Sequence, residues 1–146
     1  MKTLVKLLSI VGLVICVFLL VVLNACGGDG GQSLEGTKWV LKAYAVDGLM
    51  KDALVTATTD ATFVDGTVSG NAGINQYNGS YELDGDNLTV GPLASTKMAG
   101  DPLIMEQEAA YLAALQSAGS YEVDGETLTI MDSAGETVLE YASMAE

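Results

Sequence analysis

The chain has 146 residues, with 19 acidic against six basic side chains, a net charge of −13 and no histidine. That length suits one domain of ordinary size. Its acidity excludes nucleic acid and anionic lipid surfaces as electrostatic partners.

Met1 to Leu23 opens with Lys2 and Lys6, runs apolar from Leu7 apart from Ser9 and Gly12, and leads into Asn24-Ala25-Cys26. A basic end, an apolar run and a small residue before cysteine are the parts of a secretory signal peptide with a lipobox-like end. Residues 1–25 are therefore expected to be a lipoprotein signal peptide and Cys26 the lipidated residue. The protein would then be exported and anchored to the bacterial cell membrane or the outer membrane. An uncleaved anchor is the alternative, because the largely apolar 17-residue run from Leu7 to Leu23 reaches the lower limit for spanning a bilayer. Cleavage before Cys26 removes Cys16, so no disulfide can form within the remaining chain. Four lysines (Lys38, Lys42, Lys51, Lys97) against all 19 acidic residues then leave a net charge of −15. Residues 26–33 are expected to be the lipidated cysteine and a glycine-rich tether, and residues 34–146 the folded domain.

Leu34 to Tyr44 alternates, placing Trp39, Leu41 and Ala43 on one strand face and Lys38, Val40, Lys42 and Tyr44 on the other. Trp39 is read as core. Asp47-Gly48 turns the chain, and a loop with a short strand around Val55 is expected before Ala61. Ala61–Val64 and Thr67–Ser69 flank a second Asp-Gly turn. Gly70-Asn-Ala-Gly-Ile-Asn75 suggests a bulge or left-handed corner, its asparagine amides (Asn71, Asn75, Asn78) satisfying backbone groups. A phosphate loop would need a helix after these glycines, and a strand follows instead.

Ser80-Tyr-Glu-Leu-Asp-Gly-Asp-Asn-Leu-Thr-Val90 returns as Ser120-Tyr-Glu-Val-Asp-Gly-Glu-Thr-Leu-Thr-Ile130. Both copies read as β-hairpins, with Asp-Gly supplying the positive φ angles of a type I′ turn. Between them, Asp101-Pro102 predicts the start of a helix that runs to about Ser117 and stops at Gly119. Its apolar face comprises Ile104, Met105, Tyr111, Leu112 and Leu115, with Glu108 in the middle. A carboxylate there must find donors or become neutral. Either Glu108 accepts from backbone amides or Lys97 and fixes the loop ahead of the helix, or it is a raised-pKa acid in a cleft. A last strand is expected over Glu136–Tyr141, with Ala142 to Glu146 frayed.

The motifs L-x-G-T-x-W-x-L from Leu34, G-N-A-G-I-N-Q-Y-N-G-S-Y from Gly70, T-K-M-A-G from Thr96 and the helix M-E-Q-E-A-A-Y-L-A-A-L together resemble the META domain, the family that includes the heat-shock protein HslJ. The resemblance spans Leu34 to about Tyr141 and has no agreed biochemical activity attached. It implies an α+β fold, a curved, barrel-like antiparallel sheet of about eight strands with one helix on its concave face. It also marks Trp39, Ile74, Asn75, Tyr77, Gly100 and Glu108 as structural. Related domains usually read G-C-N-x-Y and T-R-M-A-C, with the two cysteines thought to pair. Ile74 and Gly100 stand at those positions here, so the resemblance implies that they are neighbours, with Ile74 buried.

Without histidine, arginine or a second thiol after Cys26, Ser-His-Asp and Cys-His nucleophile systems cannot be assembled, and zinc lacks its usual ligands. Asp84-Gly-Asp-Asn87 lacks the order of an EF-hand loop. No catalytic, cofactor-binding or metal residue is therefore assigned, and no enzyme is expected. The reading favoured is a lipid-anchored binding or interaction module of the cell envelope, tied by the resemblance to stress or resistance. Its partners would be the membrane, through the N-terminal lipid, and an envelope protein or hydrophobic ligand, with no nucleic acid. A small hydrolase using Glu108 and a second carboxylate is the alternative.

Overall fold

The computed structural model describes residues 32–144. The expected signal peptide, Cys26 and all but the last two residues of the expected tether lie outside that range. Ten strands and one helix lie within it: β1 (Lys38–Val46), β2 (Leu49–Asp52), β3 (Asp60–Val64), β4 (Thr67–Asn71), β5 (Gln76–Asp84), β6 (Asn87–Val90), β7 (Ala94–Ser95), α1 (Pro102–Gln116), β8 (Ala118–Asp124), β9 (Thr127–Asp132) and β10 (Thr137–Ser143). All pairings between these strands are antiparallel. Around the sheet the order is β1, β3, β4, β5, β6, β8, β9, β10, and β10 pairs back onto β1. Eight strands thus close a barrel, which removes the free edges an open sheet would carry. β2 and β7 are additions outside the ring, paired with β1 and β5.

Closure corrects the expected fraying of the C-terminus. Ala142 and Ser143 pair with Val40 and Trp39, and the Met144 amide donates to the Lys38 carbonyl at 2.9 Å. The last strand is therefore the closing stave. The expected strand around Val55 is also absent, since β2 ends at Asp52 and Val55 is fully exposed in the following loop.

Alternation sends Trp39, Leu41, Phe63, Val68, Leu88 and Leu128 inward, each at most 5% exposed. Trp39 also donates its indole N–H to the Leu34 carbonyl at 3.0 Å, which satisfies its one polar atom. A register shift in β1 against β10 between Leu41 and Ala43 breaks the alternation, so Tyr44 is buried as well as Ala43.

Helix α1 begins as Asp101-Pro102 predicts, with Asp101 Oδ1 accepting from the Leu103 and Ile104 amides at 2.8 and 3.4 Å. It ends one turn before Gly119, with Ser117 as its C-cap. Gly119 already belongs to β8, where a Cβ would meet the Ser133 amide nitrogen at 2.8 Å. The buried face also differs from the apolar wheel. Gln107, Glu108, Tyr111, Ala114 and Leu115 are buried, whereas Ile104, Met105 and Leu112 are only half-buried. Two polar side chains turn inward because the barrel offers them backbone partners, which outweighs the purely apolar choice.

Candidate functional site

Glu108 lies at the glycine-rich corner. Its Oε2 accepts from the Ile74 and Asn75 amides at 3.1 and 2.8 Å, and its Oε1 accepts from the Asn75 side-chain amide at 2.7 Å. Lys97, the partner considered from sequence, is exposed and forms no ion pair with it. Asn75, 2% exposed, extends the clamp to the segment ahead of α1. Its Nδ2 donates to the Met98 carbonyl at 3.1 Å, and its Oδ1 accepts from the Met98 amide at 2.7 Å and the Thr96 hydroxyl at 2.9 Å. One carboxylate and one amide thereby join the corner, the 96–98 segment and the helix. Neighbouring Gln107 makes a parallel clamp that the sequence reading missed. It accepts from the Leu54 amide at 2.7 Å and donates to Thr59 Oγ1 at 3.2 Å, holding the loop after β2.

Ile74 and Gly100 are neighbours, since a Cβ on Gly100 would meet Ile74 Cγ1 at 2.9 Å and Cγ2 at 3.3 Å. Ile74 is half-buried rather than buried, because the Gly100 segment over it is itself exposed. Of the corner asparagines, Asn71 accepts from the Gly73 amide at 2.7 Å, whereas Asn78 faces solvent.

Tyr77 belongs to a second buried network. In the ring of eight, β5 and β10 are four positions apart, on opposite walls, and Tyr111 of α1 bridges them inside the barrel. Tyr141 Oη donates to Tyr111 Oη at 3.1 Å, Tyr111 and Tyr77 hydroxyls lie 2.6 Å apart, and Tyr77 donates to the Asp60 carbonyl at 3.0 Å. With one proton each, the three hydroxyls can run in the order Tyr141, Tyr111, Tyr77, Asp60 carbonyl, and the Tyr111 hydroxyl also reaches that carbonyl at 3.4 Å. Burial raises the pKa of all three tyrosines, so they remain neutral donors. Three inward tyrosines on alternating or helical patterns were the available sequence signal, because a buried tyrosine hydroxyl needs a partner.

Asp60 connects this interior to the outside. Its carbonyl faces the tyrosines, while its carboxylate turns outward, with Oδ1 accepting from the Asn71 amide at 3.1 Å and Oδ2 3.1 Å from Lys38 Nζ. The carboxylate oxygen substitutes for a ladder acceptor where β3 and β4 come so close that a Cβ on Gly70 would lie 2.8 Å from the Asp60 carbonyl carbon. Over this point lies a groove of about 760 Å³, whose lining includes Lys38, Asp60, Ser69, Gln76, Asn78 and Ser95. The side chains of Ser69, Gln76, Asn78 and Ser95 are exposed and make no hydrogen bond among the described residues. Most of the residues lining the groove are polar.

A closed antiparallel barrel with a single helix held by a polar clamp and a tyrosine chain defines a small β-barrel fold class. The META domain family model matches residues 32–145, and the chain belongs to that family. Among solved structures, an NMR structure of a protein from Burkholderia xenovorans is similar at 28% identity, with a TM-score of 0.66 over 77% of this chain and 85% of that one. A crystal structure of a DUF4847 family protein from Bacteroides vulgatus ATCC 8482 shares the fold at 16% identity, with a TM-score of 0.54 over 75% of this chain and 93% of that one. No curated protein matches the chain.

Proposed function

We propose that this protein is a lipid-anchored binding module of the cell envelope, related to the HslJ-like branch of its family and to stress or resistance. The observation that carries the binding part is the contrast between satisfied and unsatisfied polar groups. Glu108 is 6% exposed and accepts three hydrogen bonds from the corner, so its carboxylate is engaged in holding the fold and is shielded from a substrate. Hydrolysis through that residue would first have to dismantle the corner. The outer groove, by contrast, presents amides and hydroxyls without protein partners. Polar groups that converge on a preformed concavity without protein partners can fix the orientation of a ligand. The anchoring part rests on the basic end, apolar run and Ala25-Cys26 junction of the sequence.

Two measurements test the reading. Cys26→Ser should leave the precursor uncleaved or move the protein out of the detergent phase; an unmodified Cys26 in mature, membrane-derived protein would reject the anchor. A photo-crosslinking residue at position 78 in the intact, anchored protein should give discrete adducts that the same residue at position 122, on a different strand, does not. Identical labelling from both positions would reject the groove as the binding surface.

A further inference from the structure

We infer that the outer groove binds an uncharged, hydroxyl-rich ligand, a short stretch of glycan chain, which rests on the binding-module reading above. Strand register assembles the surface. Lys38, Thr62, Ser69, Asn78 and Ala94 stand directly opposite one another across β1, β3, β4, β5 and β7. Two residues along, Asn71 pairs with Gln76, whose carbonyl accepts from the Thr96 amide at 3.0 Å. Two adjacent outward rows on a closed barrel make a fixed face, and Asp60 pins its floor from the inside through the tyrosines and from the outside through Asn71 and Lys38.

Charge and shape then select the ligand. The only ionised side chains in the groove are Lys38 and Asp60, paired at 3.1 Å, so the site is neutral in a domain of strongly negative charge. An anionic ligand meets the repulsion of that domain. A cationic one finds the Asp60 carboxylate already occupied. An apolar ligand finds no exposed aromatic or aliphatic wall, since Tyr77 is 2% exposed and Ala94 is small. An extended peptide is recognised by pairing with a strand edge and filling apolar pockets. From β1 to β5 the floor is a sheet face whose backbone groups are used in ladders, and the edge strand at its rim, β7, is only two residues long. Side-chain amides and hydroxyls each donate and accept, which complements sugar hydroxyl and acetamido groups.

The test is a backbone-amide NMR titration of the full chain in detergent micelles with two uncharged probes, the N-acetylglucosamine tetramer and maltotetraose, beside a sulfated tetramer. At least one uncharged probe should shift amides in 69–71, 76–78 and 94–96, with a midpoint unchanged between low and high salt. Gln76→Ala and Asn78→Ala, both at exposed positions that leave the fold intact, should each weaken binding about three- to tenfold, the worth of one hydrogen bond. The inference is overturned by groove shifts from neither uncharged probe, by tighter and salt-dependent binding of the sulfated one, or by unaltered binding in the double variant. Position-78 crosslinks to an envelope protein without saccharide shifts would overturn the glycan assignment and leave the binding-module reading standing. Neither crosslinks nor shifts would overturn both.

Discussion

The two hairpins built from the repeated sequence are locally the same and tertiarily different. Their registers correspond pair for pair, Tyr81 with Val90 and Leu83 with Leu88 in the first, Tyr121 with Ile130 and Val123 with Leu128 in the second. Both turns carry a positive φ at the glycine alone, 60° at Gly85 and 58° at Gly125. Asp84 and Asp124 are the last strand residues, so both turns follow the II′ pattern with glycine first rather than the type I′ turn expected from Asp-Gly. Asp47-Gly48 and Asp65-Gly66, with positive φ at both residues, are the I′ turns. Yet Tyr81 is 5% exposed, packs edge-on against Phe63 at 5.2 Å and donates to Glu35, whereas Tyr121 is only half-buried beside a shallow polar depression. Local sequence fixes the hairpin, and its neighbours in the ring fix what each tyrosine is worth.

The largest test of that contrast is Tyr81→Ala beside Tyr121→Ala. Truncating the buried ring should cost about 4 kcal/mol and the half-buried one about 1 kcal/mol, measured by urea denaturation. Equal losses would show that the copies are energetically alike. Leu88→Ala and Leu128→Ala sharpen the comparison from the other side. Both leucines are 0% exposed, so each change should cost about 3 kcal/mol. A difference well above 1 kcal/mol between them would mean that one hairpin packs more loosely than its burial indicates.

Alkaline titration probes the buried tyrosine of the first copy. Burial and the bond to Glu35 push the Tyr81 pKa up to about 12, above the value of about 10 expected in the unfolded chain. The unfolded state therefore loses the proton first, and stability present below pH ~10 is lost as the pH rises toward 12, at up to about 1.4 kcal/mol per pH unit for each such tyrosine. Tyr77, Tyr111 and Tyr141 shift in the same direction. Tyr81→Phe should make the decline of the melting temperature above pH 10 shallower; an unchanged slope would remove Tyr81 from the linkage. The smallest expected effect is shared. Gly85→Ala and Gly125→Ala should each cost about 1 kcal/mol, because an L side chain is disfavoured at positive φ, and neither position has a neighbour within 4 Å of an added Cβ.

How much was legible in advance follows from the range of the forces involved. Trp39 in the core, the Asp101-Pro102 helix start and the paired hairpins are written in residues a few positions apart, and periodicity reads them. The barrel-like sheet with one helix came from the family motifs, which carry long-range information that periodicity lacks. For Glu108, sequence showed that a carboxylate stood on an inward face. Its partners at Ile74 and Asn75, more than thirty positions away, depended on how the corner meets the helix.

By itself, then, the sequence determined the strand alternation, the turns and the need for every inward polar group to find a partner, because these are set by local sterics and by the cost of desolvation. Only the tertiary structure decided that β10 closes onto β1 and that Gln107 and Glu108 both turn inward. It also decided that Tyr111 spans the lumen between opposite walls, and that Asp60 faces tyrosines on one side and an open groove on the other. Those choices depend on which backbone donors and acceptors face each other once the ring has closed. No stretch of chain short enough to read as a pattern contains both partners.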